Sequence, residues 1–359
     1  MDFEVMRQDL GVTRVMDLGV PEIGAGQVLL RVEAFALTSN NITYGVFGDM
    51  LRYWEFFAPS SDDGWGRIPA FGFADVVATN HPDVEIGLRV FGYFPMSSHL
   101  VVTPTRVSSR GFTEGAEHRQ TLAAAYNHYQ RVDTDPGYDA ALEAEQMLLR
   151  PLFSTGFLIE DFLFDNDRFG STTIVLSSAS SKTAVATAFQ LRARGDSHVV
   201  GLTSAGNRTF VEGLGVYDKV ATYDDVPSLG TTTTAYIDLS GSGALRDAIH
   251  LHLGDNLTYD MIVGATHWAD APASADLPGA APEMFFAPTQ LAKRAKDWGT
   301  EVFDQRSAEA WSSYVAWVAG TLDIKRAVGA DALSLAYHDL LEGGGDPSAG
   351  HVLTLNEPA

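Results

Sequence analysis

The 359-residue sequence contains no cysteine. That excludes disulfides and every zinc site built on thiolates, so no metal role is expected. Lysine is nearly as scarce, five residues beside nineteen arginines, and acids exceed bases by enough to leave a formal charge of −22. Such a field repels phosphate backbones and anionic lipid surfaces, which argues against nucleic-acid and membrane partners. The acids are spread along the chain, so their plain consequence is solubility. No apolar run approaches the ~20 residues of a membrane helix. The start, "MDFEVMRQDLGVTRV", lacks the basic-then-apolar plan of a secretory signal, and a cytoplasmic location is expected.

One absence is local. Residues 174–204, "IVLSSASSKTAVATAFQLRARGDSHVVGLTS", read as strand, turn, small-residue helix and second strand, the layout that holds a dinucleotide pyrophosphate, yet the turn has no glycine. Fingerprint glycines serve a tight turn, close approach of backbone to pyrophosphate, and close helix–strand packing. Here Ala184, Ala186 and Ala188 keep the helix face small. Ser177, Ser178, Ser180 and Ser181 offer hydroxyls beside a helix N-terminus, Thr183 follows, and Lys182 adds a positive charge. The "SKT" imitates the end of a P-loop, but without either glycine that cradle is not made.

The composition, 45% hydrophobic and 19% charged, suits two globular domains. Residues 1 to about 110 hold short apolar runs separated by Gly, Pro and Asn and read as a small barrel. Residues 111–170 turn helical, with "LEAEQMLLRPLFSTGFLIEDFLF" carrying apolar residues at helical spacing. From Ser171 strands and helices alternate, which predicts a doubly wound parallel sheet with ligands beyond the carboxyl ends of its strands. Helices over 308–321 and 330–341 and a final strand "HVLTL" complete the chain. The expected domains are 1–150, completed by 305–359, and 151–304.

At the end of the second strand an NAD site carries an acid for the ribose hydroxyls. "GLTSAGNRTF" instead offers Thr203, Ser204, Asn207 and Arg208. An acid is missing and a base is available, so NADP(H) is the favoured cofactor.

The order of parts resembles the medium-chain dehydrogenase/reductase superfamily, in particular its zinc-free quinone-oxidoreductase-like branch. "VLLRVEAFALTSNNITYGVFG", "GLRVFGYF" and "VLSSASSKTAVATAFQL" are similar to its motifs. "YNHY" at 126–129 and "FFAPTQLAKRAKDWG" at 285–299 are similar to a family of uncharacterised domains within it. The resemblance implies an N-terminal GroES-like β-barrel domain plus a C-terminal Rossmann doubly wound parallel sheet. It also implies contacts from Tyr223 to a 2′-phosphate, from Thr155 near the pyrophosphate or nicotinamide, and from Ser240 in "DLSGSG" and Gly264, Ala265 and Thr266 in "VGATH" to the nicotinamide half. Thr38 takes the place of the superfamily's first zinc-ligand cysteine, "AFG" at 70–72 replaces its "GHE", and the four-cysteine lobe is missing.

Without a metal, a reductase needs hydride positioning and an optional proton donor. Tyr44 and Tyr126 are the donor candidates, and Asn41, with Asn40, is placed to orient substrate or cofactor. Aromatics in "RYWEFF", "DGWG" and "FGYF" point to a small apolar substrate: an enone, quinone or aldehyde. The expected function is zinc-independent, NADPH-dependent reduction of an activated C=C or C=O bond, with a homodimer as the assembly to test. A lyase or isomerase with bound NADP(H), or a non-catalytic protein on a reductase scaffold, are the alternatives.

Overall fold

The computed structural model describes residues 1–61, 63–264, 274, 276–343 and 346–356. The chain divides into two compact units, Met1–Leu148 with Val318–Ala359, and Leu149–Trp317. The helix over 300–318 therefore goes almost wholly with the second unit, whereas the sequence reading placed 305–359 with the barrel.

The first unit is the β-barrel domain. Its described strands form a nine-stranded sheet and a three-stranded sheet. Alternation of apolar and small residues along Val28–Leu37, Pro69–Thr79 and Arg89–Pro95 puts Val28, Leu30, Val32, Ala74, Val76 and Val90 into one core. The C-terminal segment returns to this unit. Strand Ala349–Thr354 pairs antiparallel with Val28–Leu37 and parallel with Asp323–Val328, a strand the sequence did not announce. Helix Ala330–Leu341 buries Leu333 and Tyr337 in the same core.

The second unit holds a long helix α1 (Glu143–Asp165), whose first residues lie in the barrel unit, and then β1 (Thr173–Leu176), α2 (Lys182–Arg194), β2 (His198–Thr203), α3 (Arg208–Leu214), β3 (Lys219–Thr222), β4 (Thr234–Asp238), α4 (Gly243–Leu253), β5 (Leu257–Ile262) and β6 (Pro282–Met284). Helices α5 (Ala287–Trp298) and α6 (Thr300–Val318) follow. Among the described residues the sheet order is β3-β2-β1-β4-β5-β6, with every neighbouring pair parallel. This is the doubly wound arrangement, and its switch point lies between the ends of β1 and β4, where successive crossovers leave in opposite directions. Central strands buried on both faces explain the unbroken apolar runs "TIVL" and "TAYID".

Candidate functional site

The turn after β1 begins at Ser177, which is fully buried. Its hydroxyl donates to Asp238 Oδ1 at 2.8 Å and accepts from the Leu239 and Ser240 amides at 2.9 and 3.0 Å. It ties the end of β1 to the end of β4 and does not face a ligand. Ser178 takes the left-handed conformation, φ +49°, that a glycine would adopt without strain. Ser181 is the N-cap of α2, accepting from the Ala184 amide at 3.3 Å. Ser180 accepts from Asn207 Nδ2 at 3.1 Å, which joins this turn to the segment after β2. Lys182 and Thr183 are half-buried in the first turn of α2, and Thr183 accepts at its carbonyl from the Thr187 hydroxyl.

The missing glycines have counterparts elsewhere. Ala179 docks on β2, its amide donating to Leu202 O and its carbonyl accepting from Tyr217. A Cβ on Gly201 beneath it would lie 2.9 Å from both Ala179 Cβ and the Tyr217 ring. A Cβ on Gly156 of α1 would lie 2.7 Å from the Thr187 amide nitrogen on α2. Close approach is thus retained, with glycine on the facing element and alanine in the fingerprint segment. Thr155, next to Gly156, donates to Pro151 O within its own helix.

At the end of β2, Thr203 is 1% exposed and its hydroxyl is buried without a hydrogen-bond partner. Ser204 is exposed. Arg208 is exposed and paired with Glu212 at 2.8 Å, with Asp225 at 3.7 Å. The position is basic, as its sequence implied, but two acids neighbour it, and Asp225 is itself fixed by accepting from Thr222. Tyr223, from the end of β3, reaches the Ser178 backbone, and burial pushes its phenol up to about 12.

Beneath the strand ends lies a buried charge network that the motifs did not reveal. Asp238 accepts at Oδ1 from Ser177, Tyr236, Ser240 and the Gly241 amide, and at Oδ2 from Arg246 at 2.5 Å. Arg246 also meets Asp260 at 3.1 Å, and Asp260 accepts from His250 at 2.9 Å. The other His250 nitrogen faces Pro278 O at 2.7 Å. Both partners offer acceptor oxygens, an arrangement that suits a ring donating from both nitrogens, an imidazolium. Burial alone would lower its pKa, but the bonds to Asp260 and Pro278 outweigh that and hold it above its ordinary value. A raised folded-state pKa adds stability that is complete below about pH 6.5 and fades as pH rises through the folded value. The wild type should therefore lose melting temperature between pH 6 and 9 relative to His250→Gln; parallel curves would show the ring to be neutral throughout. His250 and His252 form an HxH pair on α4, but His252 goes elsewhere, to Leu229 O.

Ser240 is fully buried, and its amide and hydroxyl both serve Asp238. Gly264 lies against the same turn, where a Cβ would stand 3.0 Å from Leu239 O. Ala265 and Thr266 lie outside the described residues.

In the barrel unit, Asn41 is the third residue of a capping box. Its Oδ1 accepts from the Thr38 amide at 2.7 Å and its Nδ2 donates to Pro69 O at 2.8 Å. Both ends of the amide are committed to the fold, so it orients helix 39–46 and not a ligand. Tyr44, on that helix, is packed against Tyr53 and Tyr93, and Tyr126 is stacked on Tyr93 with centroids 4.6 Å apart. Burial raises the pKa of Tyr44 and of Tyr126, so both phenols stay protonated near neutrality. Behind Tyr126 lies Arg119, 2% exposed, donating to Asn127 Oδ1, Phe56 O and Tyr126 O. No carboxylate pairs with it among the described residues, and Phe56 and Phe57 cover its guanidinium at 4.8 and 4.9 Å. Asn127, which the "YNHY" segment had marked, is thereby a structural partner of Arg119, which no motif marked.

A family model described as a protein of unknown function (DUF2855) matches residues 35–346. No curated protein matches the sequence significantly. Among solved structures, the chain is similar to CurA from Vibrio vulnificus in complex with NADPH, at 15% identity over 99% of both chains with a TM-score of 0.64. It is also similar to YHDH of E. coli K-12 with bound NADPH, at 13% identity over 99% of this chain and 100% of that one, TM-score 0.55. The yhdH oxidoreductase from Salmonella enterica in complex with NADP matches at 13% identity over 99% of both chains, TM-score 0.53. At such identities the likeness establishes the fold, that of a barrel domain joined to a doubly wound nucleotide-type sheet.

Proposed function

The chain belongs to the DUF2855 family of proteins of unknown function, and on that footing we propose that it is a zinc-independent, NADPH-dependent oxidoreductase that reduces an activated C=C or C=O bond of a small apolar substrate: an enone, quinone or aldehyde. The observation that carries this reading is the serine turn at the switch point of a parallel sheet in the order β3-β2-β1-β4-β5-β6, the place where such sheets take dinucleotides. The structures of similar fold were solved with NADPH or NADP.

The residues present suit the cofactor. An orphaned buried hydroxyl on Thr203 is costly unless a ligand satisfies it. The N-terminal end of α2, with Lys182 in its first turn, favours pyrophosphate charge. Ser180, Asn207 and Arg208 line the segment that would take the 2′-phosphate, and Tyr223 would close over it. Gly264 lets the end of β5 pack closely on the Leu239 backbone, where a Cβ would stand 3.0 Å from the carbonyl oxygen. The bound nucleotide supplies hydride, and the chain's part is to orient it and to place a phenol, Tyr44 or Tyr126, as proton donor.

Arg208 must leave Glu212 to meet a phosphate, which limits its net contribution. Arg208→Ala should weaken NADPH about tenfold, the lower end for a hydrogen bond to a charged group, and leave NADH affinity unchanged. Equal weakening of both nucleotides in a calorimetric titration would remove Arg208 from the phosphate site.

A further inference from the structure

Four tyrosines of the barrel unit form a closed ring. Neighbouring ring centroids are 4.6 Å apart for Tyr44–Tyr53, 5.9 Å for Tyr53–Tyr126, 4.6 Å for Tyr126–Tyr93 and 5.5 Å for Tyr93–Tyr44. Their hydroxyls converge. Tyr53 and Tyr126 share one long contact of 3.4 Å, the only hydrogen bond among the four that meets ordinary geometry. Tyr93 is 1% exposed, and its hydroxyl is buried beside the Tyr44 phenol with no hydrogen bond of ordinary geometry. An unpartnered buried hydroxyl is unfavourable by a kcal/mol or more, on the order of a lost hydrogen bond, and a protein that keeps one where phenylalanine would pack as well keeps a donor without a visible use.

The surroundings select what that donor could serve. Phe56, Phe57 and Phe71 all pack on Tyr93, so the walls are flat and apolar. Arg119, buried without a carboxylate partner, holds the carbonyls of Phe56 and Tyr126 and so fixes two of the walls. Its uncompensated charge favours negative charge among the hydroxyls and opposes a cationic guest; the same charge acts on Tyr93 against the upward pull of burial. Several phenol donors around one point in a dry aromatic setting suit an oxygen that accepts more than one hydrogen bond and gains negative charge.

We propose that this tyrosine ring binds the oxygen of a planar conjugated carbonyl compound, a quinone or an enone, and of its phenolate or enolate form, with Tyr93 as the principal donor. The substrate class rests on the reductase function proposed above, whereas binding at the ring requires no nucleotide.

The test is a titration of the full-length protein with para-nitrophenol near neutral pH, following phenolate absorbance, with a thermal melt and an NADPH titration on the same preparations. The wild type is expected to bind the probe and to raise its phenolate fraction above that in free solution. Tyr93→Phe should weaken binding at least tenfold while melting no lower than the wild type, because it removes a hydroxyl that makes no hydrogen bond of ordinary geometry in the fold. If Tyr93→Phe does not fold, Tyr44→Phe gives the same reading from the neighbouring position. Absence of probe binding to the wild type, or unchanged affinity in the folded variant, overturns the site. A wild type that binds the probe but not NADPH upholds the site and overturns the reductase reading instead; one that binds NADPH but not the probe does the reverse.

Discussion

Replacing Asp238 by alanine is expected to destabilise the protein by about 3–5 kcal/mol, the range for removing one partner of a buried ion pair. Its carboxylate gathers Ser177 from the end of β1, Ser240 and Gly241 from the turn after β4, and Arg246 from α4. Without it, Arg246 keeps only Asp260, and five backbone or hydroxyl donors, from Ser177, Tyr236, Ser240 (two) and Gly241, lose their shared acceptor. Asp238→Asn separates the two effects, since the amide retains an accepting oxygen for the serines but loses the charge facing Arg246. Denaturant unfolding should rank wild type above Asn and Asn above Ala. A loss below about 1 kcal/mol for Asp238→Ala, the worth of an ordinary hydrogen bond, would mean that the network is slack.

A second large effect is expected at Gly201, a residue that never approaches the ligand position. Gly201→Val would drive a side chain into Ala179 and the Tyr217 ring, each already 2.9 Å from where a Cβ would stand. Overpacking of this kind costs about 1–3 kcal/mol. Here the element displaced is the turn that carries Ser178 to Ser181. NADPH affinity should therefore fall by more than the roughly tenfold expected at Arg208, whereas Gly206→Ala, with open space around its Cβ position, should change neither stability nor binding. Full NADPH affinity in a folded Gly201→Val would dissociate the turn from the nucleotide site.

The alternation of short apolar strands and small-faced helices after Ser171 made the parallel sheet legible, because period and composition both survive in a buried βα repeat. The glycine-free turn was readable as a turn but not in its details. Ser177 and Ser181 have the residue type of a phosphate ligand, yet one spans to Asp238 and the other caps α2, because the tertiary fold and not the residue type decides which hydroxyls face inward. The network of Asp238, Arg246, His250 and Asp260 links α4 to β4 and β5, and no local spacing encodes a contact of that kind. Arg119 was equally silent: an arginine in "EHRQ" reads as solvated surface, and it is buried because Asn127 and two carbonyls meet its donors. Strand Asp323–Val328 was missed because its pattern is polar and exposed, as befits the edge beside Ala349–Thr354.

The most direct test of the account is a calorimetric titration of the purified wild-type protein with NADPH and, separately, with NADH. The account predicts saturable binding of NADPH at micromolar concentrations or below and weaker binding of NADH, since the second strand ends in Thr203 and Arg208 and not in an acid. Absence of binding by either nucleotide, or equal affinity for the two, would contradict it.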